Sequence, residues 1–394
     1  MLSEDMVALG TQRSVIRELF EFGKRRAAEQ GAGSVFDFSL GNPSVPPPEA
    51  VTRRALDLLG SQDPLSLHGY TSAQGDLSAR RALADDLNRR FDAQVSPQRL
   101  YLTCGAAAAL CCCFRALFSA GDRCVVFAPY FPEYKVFIEG AGGVMVTVPP
   151  ALPDFQIDFS ALEGALTPDT KAVVVNSPNN PSGAVYDRET LQALAALLTR
   201  RSEEFGHPIY LISDEPYREL VYEGTEVPWI PALYPNTLVC YSFSKSLSLP
   251  GERIGYALVP PAVADGERVY AALCGAGRSM GYVNAPSLFQ RVAADCCGVP
   301  PDLSRYDANR LLLLNGLREI GYECAAPQGA FYLFPKSPIP DAAAFSERGK
   351  ALGVLLVPGD GFGCPGYFRL SYCVPQETIL GALPLFRQLF REST

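Results

Sequence analysis

The sequence predicts an α/β protein: a large domain whose seven-stranded, mostly parallel sheet lies between layers of helices, with a smaller α+β domain built from the C-terminal part and the N-terminal segment. Three observations carry this. From about residue 99 onward, short β-branched apolar runs alternate with helical stretches, the pattern of parallel strands covered on both faces. Polar residues or glycines follow most of these runs, and in open α/β sheets ligands bind beyond the carboxyl ends of the strands. The chain has 394 residues, 48% of them hydrophobic, which is more than one ordinary domain and ample for a sizeable core. The expected division is 1–50 as an N-terminal arm and part of the small domain, 51–298 as the large domain and 299–394 as the small C-terminal domain.

In chain order, residues from about 11 to 30 place Val15, Ile16, Leu19 and Phe20 at helical spacing among mixed charges and read as an amphipathic arm. Residues 36–43 alternate like a strand that ends in a turn, and Pro46-Pro47-Pro48 then breaks regular structure. A loop at His68-Gly69-Tyr70-Thr71 precedes a charged amphipathic helix over about 76–91. The seven strand runs are 100–103, 124–128, 144–148, 172–176, 209–213, 238–242 and 254–259. The greasy stretch 106–118 is interrupted by Arg115 and too short to span a bilayer, so it reads as a buried helix. Beyond about 300 come a helix and then short strands near 331–334, 354–357 and 368–372.

Bulk properties narrow the function. A formal net charge of −8 argues against a nucleic-acid partner, which would want a basic face. The acidic start, Met1-Leu2-Ser3-Glu4-Asp5, has no basic region followed by an apolar stretch, so neither a signal peptide nor a membrane segment is expected. Twelve cysteines, clumped at Cys111-Cys112-Cys113 and Cys296-Cys297, lack CxxC spacing and nearby histidines. They read as small apolar filler in a reducing cytoplasm, with no metal site.

The chemistry gathers at the strand ends. Tyr241-Ser242-Phe243-Ser244-Lys245 follows an apolar strand, and Arg253 comes eight residues after the lysine. A lysine just past a buried strand is partly stripped of water, and a nearby guanidinium disfavours a second positive charge, so the amine can become neutral and nucleophilic. Serines and an arginine beside it suit a phosphate. A lysine nucleophile with a phosphate clamp points to pyridoxal phosphate. After the first strand, Gly105 and Ala106 open an alanine-rich helix whose free amides and dipole can hold a phosphate. Phe131 stands where a pyridine ring could stack. The proline-rich turn Asn176-Ser177-Pro178-Asn179-Asn180-Pro181-Ser182-Gly183 fixes an asparagine amide, and Asp214 and Tyr217 bring a carboxylate and a phenol to the same edge. A carboxylate against a pyridine nitrogen keeps it protonated, which makes the ring an electron sink.

Taken in order, NSPNNPSG, ISDEPY, SFSK with its following arginine, and FRLSY near the end resemble the class I/II pyridoxal phosphate-dependent aminotransferases of fold type I, aspartate aminotransferase-like, over essentially the whole chain. The resemblance implies that Lys245 links to the cofactor aldehyde and shuttles the substrate proton. It implies that Asp214 pairs with the pyridine nitrogen, that Asn180 and Tyr217 bond the ring oxygen and that Phe131 stacks on the ring. The phosphate would then lie on Gly105, Ala106, Ser242 and Arg253, with Tyr70 arriving from a neighbouring subunit of a homodimer with shared active sites. Arg369 would fork onto the substrate α-carboxylate, with Gly41 and Asn180 beside it. Arg278, shortly before Asn284-Ala285-Pro286, is the candidate for a second carboxylate, and a surface ion pair is the plainer use for it. Cys104 and Ala106 stand where some relatives carry hydroxyls, which leaves more of the phosphate to backbone amides.

The expected activity is transfer of an amino group between an L-amino acid, aspartate-like or of broad range, and a 2-oxo acid such as 2-oxoglutarate. The nearest rival is a C–S β-lyase or another β-eliminating enzyme of the same fold, since the cofactor residues are common to both. A non-catalytic sensor domain of a regulator would need a basic DNA-binding segment ahead of it. Three other patterns are coincidental: Ser242-Phe243-Ser244-Lys245 as SxxK without SDN or KTG, Gly277-Arg278-Ser279-Met280-Gly281 as GxSxG with both histidines upstream, and Gly361-Phe362-Gly363-Cys364-Pro365-Gly366 as GxGxxG with a strand after it.

Overall fold

All seven apolar runs fold into one sheet: β1 (Leu100–Thr103), β2 (Arg123–Phe127), β3 (Val144–Val148), β4 (Thr170–Asn176), β5 (Tyr210–Asp214), β6 (Thr237–Ser242) and β7 (Gly255–Leu258). A computed structural model describes residues 2–11, 15–282 and 284–393; Met1, the 12–14 part of the expected arm, Val283 and Thr394 lie outside the described residues. The strand order is β1-β7-β6-β5-β4-β2-β3. Neighbours from β3 to β6 pair in parallel, and β7 runs antiparallel to both β6 and β1. The exception has a cause in the connection. Between β6 and β7 the chain holds only the four-residue helix Phe243–Ser246, so it doubles back where a longer helix would have crossed over.

Two compact units partition the chain. The first comprises Val45–Leu303 with Gln328–Ala330, and the second Met1–Ser44, Ser304–Pro327 and Phe331–Thr394. In the first, strand residues alternate between two cores, as the two-residue period requires. Val173 and Val175 join Leu162, Leu191, Leu194 and Leu198 from helices Phe159–Ala165 and Arg188–Phe205. Ala172 and Val174 join Leu110, Cys113, Phe114 and Leu273 from helices Ala106–Leu117 and Gly266–Ser279. A third core packs β1, β6 and β7 on helices Leu77–Phe91 and Ser287–Asp295. The Asp76 carboxylate caps Leu77–Phe91 by accepting from the Ala79 amide at 3.0 Å. Each large apolar side chain buried this way contributes about 1.5–3 kcal/mol.

In the second unit, Tyr332–Leu333 and Val357–Pro358 flank Phe368–Ser371 in an antiparallel sheet, over an aromatic core of Tyr322, Phe345, Phe368 and Phe386. Of the strand expected over 36–43 only Phe36–Asp37 forms, parallel to Val354–Leu355. The Asp37 carboxylate accepts from the amide and hydroxyl of Ser39 at 2.8 and 2.6 Å and turns the chain out of the ladder. The expected arm is two helices, Glu4–Thr11 and Val15–Gln30; the second buries only Leu19 and Gly23. The triplet Cys111-Cys112-Cys113 lies on one helix, and Cys113 Sγ meets Cys240 Sγ at 3.6 Å, both buried. Among the described residues no group of three His, Cys, Asp or Glu is placed to hold a metal, and no helix is long and apolar enough to cross a membrane.

The GxSxG pattern has a packing origin. Gly277 is a helical residue whose Cβ, were there one, would stand 2.2 Å from the Tyr101 hydroxyl. Gly277→Ala is expected to lower stability by about 1–3 kcal/mol, and Tyr101→Phe, which removes the nearest atom but leaves ring carbons at 2.8 and 2.9 Å, to restore part of the loss. Urea unfolding of the two single variants and the double variant checks this; strictly additive effects would contradict the contact.

Candidate active site

Four chain segments meet where β7 begins. Gly255 lies directly opposite Thr103 at the end of β1 and Ser242 at the end of β6. A Cβ on Gly255 would stand 2.2 Å from Tyr241 O and 3.0 Å from Gly105 Cα, so only glycine fits. Gly105 has φ +82 and is the N-cap of helix Ala106–Leu117 with no side-chain cap, which leaves the first-turn amides for a ligand. Arg253 closes the group, its Nη1 donating to Pro250 O at 3.0 Å and its Nη2 to Cys104 O at 3.2 Å. Ser242 Oγ accepts from the Ser244 amide at 3.2 Å and lies 2.7 Å from Ser244 Oγ. Small residues, unclaimed amides, two hydroxyls and a guanidinium together make an anion cradle.

Lys245 sits in the four-residue helix capped by Ser242, half-buried just past β6. The neighbouring strand β5 ends in Asp214, 4% exposed. Its Oδ2 accepts from the Tyr134 hydroxyl at 2.6 Å, whereas Oδ1 is buried and has no hydrogen-bond partner among the described residues. Burial pushes the Asp214 carboxyl up to about 7, the Tyr134 hydrogen bond opposing the shift and the neighbouring Glu215 adding to it. Burial, then the Asp214 charge, holds the Tyr134 phenol well above its usual range, so it stays a donor.

Asn176, at the end of β4 and opposite Asp214, joins the next part of the edge. Its Nδ2 donates to Asp214 O at 2.9 Å, and its Oδ1 accepts from the Asn180 amide at 2.8 Å. Asn179 Oδ1 accepts from the amide and hydroxyl of Ser182, which locks the rest of that turn. Tyr217 is buried three residues past Asp214. Phe131 is half-buried and meets Tyr134 edge to face, with centroids 5.7 Å apart.

Gly105, Ala106, Phe131, Asn180, Asp214, Tyr217, Ser242, Lys245 and Arg253 therefore all lie at strand ends of one sheet. Tyr70 and Arg278 belong to the same unit but not to this group: Tyr70 is 93% exposed, and Arg278 is exposed on the last turn of Gly266–Ser279. The second unit carries Gly41 and Arg369. Arg369 is buried between the rings of Tyr332 and Phe362, at 4.8 and 5.0 Å, and donates to Ser39 O. A Cβ on Gly41 would collide with the Tyr332 hydroxyl at 2.0 Å. Sequence reasoning missed Tyr134, Asn176 and Ser244 as site residues. Tyr134 lies three residues after Phe131, its amide donating to Phe131 O at 3.0 Å in the turn that opens helix Glu133–Gly140.

A buried carboxylate oxygen without a partner among the described residues suits the N–H of a heteroaromatic cation, the cradle suits a phosphate, and the lysine just past β6 suits an aldehyde. The family model for aminotransferases of class I and II matches residues 34–383. An aspartate/prephenate aminotransferase of Thermus thermophilus is 35% identical over 364 residues, covering 89% of this chain and 90% of that one. Among solved structures, an amino transferase from Eubacterium rectale superposes with a TM-score of 0.98 at 52% identity, covering 100% and 99% of the two chains. The aspartate aminotransferase of Thermus thermophilus with maleate gives 0.87 at 30% identity, covering 99% of each. Strand order, strand-end residues and these likenesses agree: the chain belongs to the class I and II aminotransferases.

Proposed function

We propose that this aminotransferase works with pyridoxal 5′-phosphate and moves an amino group between an L-amino acid, aspartate-like or of broad range, and a 2-oxo acid such as 2-oxoglutarate. The observation that carries the reading is the buried Asp214 Oδ1, an acceptor left over after Tyr134 and Asn176 have made their bonds. A pyridine N–H is the complement of that atom. Asn180 and Tyr217 would hold the ring oxygen and Phe131 the ring face. The amides of Gly105 and Ala106, with Ser242 and Arg253, would hold the phosphate, joined by Tyr70 from a second copy of the chain. The exposure of Tyr70 supports that homodimeric use.

When bound, the cofactor supplies an aldehyde that condenses with amines and a protonated ring that accepts electron density from the substrate Cα. Lys245 Nζ is the amine that would hold the aldehyde, and once freed it would act as the base that carries the proton from the substrate Cα to the cofactor carbon. Asp214 keeps a cation beside it by staying ionised, which the pairing itself favours over the protonated state that burial favours in the empty site. Arg369 would fork onto the α-carboxylate from a guanidinium already held between two rings, with Gly41 beside it. An aspartate-like donor is supported by the names of the relatives and by maleate, a dicarboxylate, in the Thermus thermophilus structure. Arg278 is the proposed second cation. Twelve cysteines outside any disulfide support a cytoplasmic setting.

A half-reaction panel tests the reading. Cofactor-loaded protein mixed with single amino acids is expected to change its visible absorbance most with aspartate-like donors, and turnover to require a 2-oxo acid; pyruvate and ammonia released without an acceptor would mean a β-lyase. Arg278→Ala is expected to raise the KM for aspartate about tenfold while leaving alanine unchanged, and equal effects on both would remove Arg278 from substrate binding. For Asp214 the sign is unusual. The folded cofactor-free chain holds that proton more tightly than the unfolded chain, so stability falls as pH rises from the unfolded carboxyl value to about 7, and the full penalty stands above it. Cofactor-free Asp214→Asn is therefore expected to gain stability over wild type above neutrality, to lose that gain near about pH 4, and to bind the cofactor far more weakly. A gain that does not vary with pH in urea unfolding would refute the buried-proton account.

A further inference from the structure

A buried ionic network lies under the lysine turn, and the reaction as described makes no use of it. Glu215, the residue after Asp214, accepts from Ser213 Oγ at 2.6 Å and from Arg218 Nη1 at 2.7 Å. The Arg218 side chain is 4% exposed. Its guanidinium carbon stands 4.3 Å over the Tyr241 ring, its Nε donates to Glu219 at 3.2 Å and its Nη2 to the Tyr256 hydroxyl at 3.2 Å. Glu219 also holds Arg90 at 3.0 Å, and Arg90 and Arg89 both pair with Asp86. Tyr241 Oη is 2.7 Å from Glu219 Oε2 and 2.8 Å from Ser246 Oγ. A phenol has one proton and a carboxylate is the stronger acceptor, so Tyr241 donates to Glu219 and Ser246 donates to Tyr241.

The chain of contacts Glu215, Arg218, Glu219, Tyr241, Ser246 thus starts one residue after Asp214 and ends one residue after Lys245. The turn it reaches is weak by itself. A four-residue helix is far below the length that sustains itself, and its one side-chain cap comes from Ser242. The β5–β6 ladder aligns Asp214 with Cys240 and adds Glu215 N to Cys240 O at 2.8 Å, but β6 ends at Ser242, before the lysine. Burying two carboxylates and a guanidinium is expensive compared with apolar packing, and a fully bonded network of that kind rigidifies what it touches. Burial alone would lift the Glu219 carboxyl, yet Arg218 and Arg90 hold it below its usual range, so it stays an ionised acceptor for Tyr241.

We propose that the network centred on Arg218 is the positioning element that fixes the Lys245 turn relative to the Asp214 strand end, with Tyr241 and Ser246 as its last link. The proposal rests on the aminotransferase reading of Lys245 and Asp214. Tyr241→Phe tests it, because the ring stays over Arg218 and only the oxygen joining Glu219 to Ser246 is lost. The expected result is a kcat about tenfold lower with the amino-donor KM within about twofold, pyridoxal phosphate still bound, and amide exchange over Phe243–Ser246 about tenfold faster in the cofactor-free chain. Ser246→Ala is expected to do the same, and the double variant no more than either alone. Wild-type kcat and wild-type exchange in Tyr241→Phe, or effects of the two variants that add, would overturn the proposal. Wild-type protein that takes up no pyridoxal phosphate would contradict the aminotransferase reading, and the exchange rates in the cofactor-free chain would still decide the network.

Discussion

The edge of the sheet is arranged around a carboxylate that is buried before its partner arrives. Asp214 sits at the end of β5 with one oxygen accepting from Tyr134 and the other without a hydrogen-bond partner among the described residues. Leaving a buried charge half-satisfied costs free energy that a small apolar residue would not. That cost makes sense when a cation completes the site, since the same low-dielectric surroundings that penalise a lone carboxylate strengthen its pairing. Asn176 carries the constraint sideways, because one side chain grips both the backbone of Asp214 and the amide of Asn180.

A second constraint is steric. The antiparallel β7 returns Gly255 to a point between Thr103 and Ser242, and Gly105 stands within 3.0 Å of where a Cβ on Gly255 would be. No side chain fits there, so the first-turn amides of helix Ala106–Leu117, the serines after β6 and Arg253 converge without one. Fold and chemistry share a cause here: the short link that carries Lys245 is also what forces β7 to turn back.

Much of this was legible in the sequence because it is local. Each of the seven strands is a short, largely apolar run, and the runs found in the sequence differ from the observed strands by two residues at most. Asp214, Asn180, Ser242 and Lys245 could be singled out because each lies at the end of such a run or within four residues after it. What could not be read depends on geometry that residue types alone do not fix. The reversed direction of β7 is a property of the connection, and the loss of most of the 36–43 strand follows from one side chain, Asp37, competing with the ladder. Tyr134 acts across 80 residues, and only burial between Glu215 and Glu219 distinguishes Arg218 from a surface charge. Gly277 shows the converse, a motif whose glycine serves only to let a helix approach Tyr101.

The central claim is that one amine, Lys245 Nζ, is the group that holds the cofactor. The most direct measurement is reduction of the pyridoxal phosphate-loaded protein with borohydride, followed by peptide mapping by mass spectrometry. The account predicts a single pyridoxyl modification, on the peptide containing Lys245. A modification at another lysine, or none in protein that has taken up the cofactor, would contradict it.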